Sequence, residues 1–337
     1  MDRAVTASAF VHQHASHCES GVMSSLLRHH GMPVSEAMAF GITSSLAFAY
    51  LPFLRINGLP LIAYRMPPGA IIRGLDRALG LGVKFEKFRS REAGMARLDE
   101  LVDSGRLVGL QTSIYWLPYV PQGLRFHFNA HNLLVYGRDR DEYLVSDPVA
   151  ETVVRCARGD MERARFAKGV LAPKGKLYYA TREPSAPDWA TLGRKALKRT
   201  ANIMLRTPVP LIGVRGIRML ARRVERLPAD EGAKLYIGHI VRMQEEIGTG
   251  GAGFRFMYAA FLQELSGVTG YAPLASLSQR LVAIGDRWQE FAIATSRMIK
   301  RRDPLHPPAL ATHLREIAQQ EESFYRDLER AAAAWRA

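Results

Sequence analysis

Cysteine is scarce in this chain: Cys18 and Cys156 are the two in 337 residues. A pair so far apart excludes a disulfide framework and any cysteine-built zinc or iron–sulfur site, and such usage fits a reducing cytoplasm. The opening Met1-Asp2-Arg3-Ala4-Val5-Thr6 lacks the charged-then-apolar layout of a secretory signal. Long apolar runs are missing too. The stretch from Met32 to Tyr64 is interrupted by Glu36, Pro52, Arg55, Asn57, Gly58 and Pro60, so it does not read as a membrane span. These absences predict a soluble, cytoplasmic protein. There is no zinc-finger spacing and no RNP-like aromatic motif, so nucleic acid is not an expected partner. His12, His14, His17 and Cys18 carry donors that suit a metal, but no second paired-ligand motif completes the set. No metal site is expected.

Acid is also in short supply. Lys and Arg number 46 against 32 Asp and Glu, a formal charge of +14, which favours an acidic partner. The excess is concentrated in Arg194, Lys195, Lys198, Arg199, Arg206, Arg215, Arg218, Arg222, Arg223 and Arg226, with Glu225 the one acid among them. The plainest account of that stretch is a solvated pair of basic helices. The alternative is a docking face, with Arg215, Arg218, Arg222 and Arg223 as candidate contacts.

What the chain does have is ample core material: 47% of its residues are apolar and 23% charged, a globular composition. Its first half alternates short segments. Val83–Phe88, Leu107–Tyr115, Asn132–Gly137, Glu142–Ser146 and Lys176–Ala180 read as strands, and Ser20–His30, Ala70–Leu79 and Ala93–Ser104 as helices. Thr181–Asp188 has linker composition. Beyond it, Ala233–Ile247, Phe254–Gly267, Leu274–Ile299 and Pro308–Trp335 carry apolar residues at helical steps. The pattern predicts an α+β domain over 1–182 followed by an all-α domain over 183–337. Ala, Leu and Met in the later helices are compatible with a homodimer.

Cys18 stands at the start of the first predicted helix. A sulfur there faces unsatisfied N–H groups and the positive end of the helix dipole, both of which favour an anion. A nucleophile needs a base, and the segment Asn129–Pro148 supplies one. It reads as a β-hairpin turning between Asp139 and Arg140, so opposed residue numbers sum to about 279. His131 then falls opposite Asp147 or Pro148, with Cβ atoms roughly 4.5–5.5 Å apart. A carboxylate so placed can orient the imidazole. Cys18, His131 and Asp147 together form a candidate nucleophile–base–orienter set.

Cys18 opening a helix, His131 leading a strand and Asp147-Pro148 closing the next resemble the papain-like fold, in the arrangement of bacteriocin-leader-processing cysteine peptidases. His17-Cys18-Glu19-Ser20, Ser35-Glu36-Ala37-Met38-Ala39-Phe40-Gly41-Ile42 and Phe48–Leu51 more specifically resemble the N-terminal domain of butirosin biosynthesis protein H. The region around Gly248–Glu264 is similar to a helical domain of unknown function that often follows it. The resemblance implies an acyltransferase that moves an aminoacyl or other acyl chain from an acyl carrier protein thioester to a small-molecule amine, in secondary-metabolite biosynthesis. It implies no cofactor beyond the donor's own phosphopantetheine arm. Papain-like enzymes stabilise the oxyanion with a glutamine a few residues before the cysteine. Here Gln13, His14 and His12 all remain candidates, beside the Cys18 N–H. The same three residues equally suit a peptidase or amidohydrolase, and a non-catalytic binding module would keep the fold without the chemistry.

Two signals stand apart. Gly248-Thr249-Gly250-Gly251-Ala252-Gly253 matches a dinucleotide fingerprint in form but follows a helix, so it reads as a helix stop and turn. A sharper expectation is that its N–H groups, with Arg255, hold the phosphate of the pantetheine arm. Cys156 lies among basic residues with no partner pattern and reads as structural.

Overall fold

The computed structural model describes residues 10–56, 58–246 and 248–336. Its elements in chain order are α1 (Cys18–His29), α2 (Glu36–Ile42), β1 (Leu46–Ile56), β2 (Leu59–Arg65), α3 (Ala70–Leu79), β3 (Lys84–Glu86), α4 (Arg91–Asp103), β4 (Val108–Thr112), β5 (His131–Asp139), β6 (Glu142–Ser146), β7 (Val154–Ala157), α5 (Arg158–Arg165) and β8 (Leu177–Tyr179). Helices follow: α6 (Trp189–Arg206), α7 (Gly213–Glu225), α8 (Glu231–Glu245), α9 (Arg255–Thr269), α10 (Pro273–Ile299) and α11 (Pro307–Ala334). The chain divides into two compact units. One joins the chain up to Ala39 with Ile71–Ala186, and the other joins Phe40–Ala70 with the chain from Pro187 onward.

The first unit is built on a six-stranded antiparallel sheet in the order β3-β8-β4-β5-β6-β7. Alternation puts Leu110, Leu133, Val135, Leu177 and Tyr179 on one face, where they pack with Met95, Leu98 and Val102 of α4 and Met161 of α5. Each fully buried aliphatic side chain contributes about 1.5–3 kcal/mol. α1 packs along β5, and Leu134 and Tyr178 are buried on the other face. This is what brings a helix start and a strand start into one place.

In the second unit every described regular element from residue 187 onward is helical, and the β1–β2 hairpin packs with those helices. Phe48 of β1 and Tyr64 of β2 lie against Trp288, with ring centroids 6.2 and 5.5 Å away. Gly41 of α2 lets the ring of Phe261 of α9 come close, since a Cβ there would lie 1.9 Å from it. The single boundary read from composition near residue 182 therefore differs from the observed division. Residues 40–70 leave the first unit and join the helices.

The hairpin has no counterpart in the sequence patterning, because Leu46–Arg65 is apolar without a clean period and contains two prolines. The ladder accommodates Pro52 in a register shift between Leu51 and Arg55, where a missing N–H costs least. α2, α5 and β7 were likewise unassigned. The predicted strands start and end within two or three residues of the observed ones.

Candidate active site

α1 begins at Cys18 because the residues before it cap it. His17 has extended backbone, with φ −129° and ψ 130°, and its Nδ1 accepts from the Ser20 N–H at 3.3 Å. Glu36 braces the same turn. Its carboxylate accepts from Ser16 N at 3.0 Å, His17 N at 2.6 Å and Ser20 Oγ at 3.1 Å. Burial raises the pKa of Glu36 against the pull of those donors. Glu19, fully buried, accepts from the N–H groups of Ile71 and Ile72 at 2.9 and 3.3 Å and so holds the start of α3. As the first helical residue, Cys18 has a backbone N–H with no acceptor inside the helix.

His131 opens β5, where its backbone pairs with Thr112 of β4. Asp147 lies one residue past the end of β6. The expected direct opposition of the two differs from the observed register. The two-residue turn is Arg140-Asp141, Asp139 pairs Glu142, and the register shifts between Val135 and Gly137. The side chains still meet, with His131 Nε2 2.7 Å from Asp147 Oδ2. The Cys18 sulfur is the ring's other electrostatic partner. Cys18 is 7% exposed, His131 3% and Asp147 0%, so all three are buried with little access for water.

Electrostatics reinforces the arrangement. Burial alone would keep the imidazole neutral, but the Asp147 carboxylate and the Cys18 sulfur outweigh it and raise the His131 pKa. Burial alone would likewise raise Asp147, yet His131, the Tyr119 hydroxyl and the Val149 N–H bring it below the ordinary carboxylate range. Tyr119 donates to Oδ2 at 2.8 Å and Val149 N to Oδ1 at 3.1 Å. Every side of the carboxylate is engaged, which fixes its rotamer.

Glu36 and Glu19 fall in the blocks that carry the resemblance but receive no role from the sequence, and Tyr119 falls in none. Glu36 had a signal, a carboxyl group between Val34 and Ala37-Met38 in an apolar stretch. Tyr119 had none. Gln13 and His14 are exposed, and among the described residues neither hydrogen-bonds to Cys18, His131 or Asp147. His12 is committed elsewhere, its Nδ1 2.8 Å from Ser146 Oγ and its Nε2 3.0 Å from Ala150 O. It thereby ties the N-terminal segment to the chain around Asp147.

The model of a domain of unknown function, DUF4872, matches residues 159–328, half of the chain. The chain belongs to that family. Ahead of it, residues 17–148 match the N-terminal domain of butirosin biosynthesis protein H, the family that the blocks around Cys18 and Glu36 resemble. Among solved structures, a C39-like peptidase from Bacillus anthracis is similar at 15% identity, covering 52% of this chain and 96% of that one, with a TM-score of 0.37. A comparison with curated proteins returned no match.

The remaining sequence signals resolve differently. Arg255 is fully buried in the second unit and unavailable to a phosphate. Its Nε and a terminal nitrogen donate to Glu321 at 2.8 and 3.0 Å, and its third donor meets Gly253 O at 2.7 Å. Two of the loop's N–H groups are also taken: Gly251 N bonds Thr249 Oγ1 at 3.1 Å and Ala252 N bonds Glu245 at 3.1 Å. The phosphate expectation for this loop is therefore withdrawn. Of the basic face, Arg218 pairs with Glu322, Arg206 with Glu329 at 2.8 Å, and Arg215 donates to Thr207 O. Arg222 and Arg223 are exposed, with Arg223 5.7 Å over the Tyr236 ring. Acids of α11 thus offset part of the charge that the sequence displays. Cys156 is buried, and burial pushes its thiol up to about 12, an inert setting. No helix among the described residues is long and apolar enough to cross a membrane.

Proposed function

We propose that this chain is a papain-like cysteine acyltransferase working on carrier-bound thioesters in the cytoplasm. The observation that carries the reading is a buried His131 hydrogen-bonded to Asp147 and electrostatically coupled to the buried Cys18. A protonated His131 beside the sulfur stabilises its anion, and Asp147 stabilises the imidazolium. The thiolate attacks the thioester carbonyl, and the Cys18 N–H donates to the oxyanion that forms. Collapse expels the carrier thiolate, which takes the proton from His131. A small-molecule amine then attacks the acyl-enzyme, His131 accepts its proton, and the Cys18 thiolate leaves. The near absence of solvent at the sulfur supports transfer over hydrolysis, because water is the competing acceptor. The family match to butirosin biosynthesis protein H supports an amine acceptor and an acyl carrier protein donor.

The test is the mass of Cys18 after mixing with an acyl-carrier thioester. Wild type gains the acyl mass, Cys18→Ala does not, and Asp147→Asn gains it about 10²–10⁴-fold more slowly. Adding an amine then clears the adduct. Clearance by water at the same rate points to a hydrolase. A Cys18 inert to thioesters and to iodoacetamide points to a binding module.

A further inference from the structure

Asp147 is the first residue of a four-residue turn. Ala150 N closes it by donating to Asp147 O at 3.0 Å, and Val149 N donates to the Asp147 carboxylate at 3.1 Å. The carboxylate's orientation is thus part of the turn's own conformation. Strand β6 ends at Ser146 and β7 begins at Val154, so the turn lies outside the sheet ladder and takes its position from other bonds.

Three of those bonds come from the far end of the chain. His12 is half-buried, with Nε2 3.0 Å from Ala150 O and Nδ1 2.8 Å from Ser146 Oγ. A carbonyl oxygen only accepts, so Nε2 carries the proton, and in the neutral ring Nδ1 accepts from the Ser146 hydroxyl. One imidazole therefore grips the residue before Asp147 and the last residue of its turn. Ala15 N donates to Pro148 O at 2.7 Å and holds the middle. The segment that supplies these bonds is anchored on both sides. Upstream, the Phe10 ring stacks on Tyr136 of β5 at 4.8 Å. Downstream, Glu36 accepts from Ser16 N and His17 N, and Cys18 follows directly. A single short stretch carries both the grip on the Asp147 turn and the start of the helix that bears the sulfur.

We propose that His12 is a positioning residue: by bridging Ser146 and Ala150 it holds the Asp147 turn so that the carboxylate meets His131 Nε2. The proposal rests on the reading of Cys18, His131 and Asp147 given above. His12 acts through the turn and touches no reacting atom, and both its nitrogens are engaged there rather than on an oxyanion.

The test follows the His131 ring signals by NMR against pH in wild type, His12→Ala, His12→Gln and Ser146→Ala, with urea unfolding of each. A carboxylate free to turn away stabilises the imidazolium less, so His12→Ala lowers the His131 midpoint by about one pH unit. Ser146→Ala lowers it by less, because Ala150 O and Pro148 O stay held. His12→Gln keeps an amide donor for Ala150 O and returns most of the shift without restoring an imidazole, which sets aside the charge of the missing ring as its cause. Cys18 acylation in His12→Ala slows about tenfold, with the half-saturating donor concentration unchanged. A His12→Ala protein that is less stable but keeps the wild-type His131 midpoint overturns the proposal and makes His12 purely structural. If His12→Ala does not fold, an unchanged midpoint in Ser146→Ala overturns it equally. A wild-type Cys18 that accepts no acyl group from any thioester removes the acyl-transfer reading alone, since the His131 midpoints still decide what His12 does.

Discussion

At Gly21, a Cβ would lie 2.7 Å from the Cβ of Pro148 and 2.6 Å from that of Ala15. The helix that begins at Cys18 approaches the residue after Asp147 this closely because position 21 has no side chain. The contact is sealed by Ala15 N donating to Pro148 O at 2.7 Å. Spacing between nucleophile and orienting carboxylate is therefore set by a glycine one turn beyond the sulfur. Gly21→Ala should cost about 1–3 kcal/mol of stability through overpacking and slow Cys18 acylation at least tenfold at a temperature where the variant is folded. Denaturant unfolding and the acylation rate, measured on the same sample, separate the two effects. An unchanged rate would show that the approach is not needed for chemistry.

The buried His131–Asp147 pair makes stability depend on pH in both directions. Asp147 has a lowered pKa, so its contribution is present above the ordinary carboxylate value near ~3.9 and is lost as pH falls through its folded value. His131 has a raised pKa, so its contribution is present below the ordinary imidazole value near ~6.5 and is lost as pH rises through its folded value. Urea unfolding of wild type against the His131→Gln, Asp147→Asn double variant should differ most between about pH 4 and 6.5. The difference should shrink on either side. A pH-independent difference would count against a charged pair.

Glu36 acts on the sulfur through the backbone. Replacing it with alanine leaves Ser16 N, His17 N and Ser20 Oγ without the acceptor they now share. The cost is about 2 kcal/mol, since water reaches the exposed end of the turn. Alkylation of Cys18 by iodoacetamide should slow in Glu36→Ala, with Glu36→Gln intermediate because one acceptor oxygen remains. Equal alkylation rates in all three proteins would reduce Glu36 to a structural role.

In the second unit, Glu321 accepts from Arg255 and from Trp288 Nε1, the latter at 2.7 Å. Arg255 is also stacked 5.1 Å from the Trp288 ring and 5.5 Å from Tyr64. Glu321→Leu strands a buried cation and should destabilise this unit by about 3–5 kcal/mol. The double variant Arg255→Met, Glu321→Leu should recover most of that loss, as read by the urea midpoint. A double variant as unstable as the single one would mean that the pair contributes more than its mutual neutralisation.

Local chemistry was legible in the chain. Ala70–Leu79 and Glu142–Ser146 have strong periodicity between clear stops, and both elements fall where the pattern puts them. The helix start at Cys18 follows from its own neighbours, because capping is decided within four residues. The long apolar helices of the second half are equally local. By contrast, Leu46–Arg65 has no decisive period, and its hairpin exists because Phe48 and Tyr64 find Trp288 more than two hundred residues away.

Residue types and their spacing by themselves determined that a thiol opens a helix and that an imidazole and a carboxylate flank one hairpin. Tertiary structure alone decided the rest. It moved the turn to Arg140-Asp141, shifted the register, and set His131 against Thr112 while its side chain reached Asp147. It recruited Tyr119 and Glu36, buried Arg255 away from any phosphate, and met part of the basic face with the acids of α11. The physical reason is range. Caps, turns and periodicity depend on residues a few positions apart, whereas burial, charge pairing and the approach allowed by Gly21 depend on chain segments that meet only once folded.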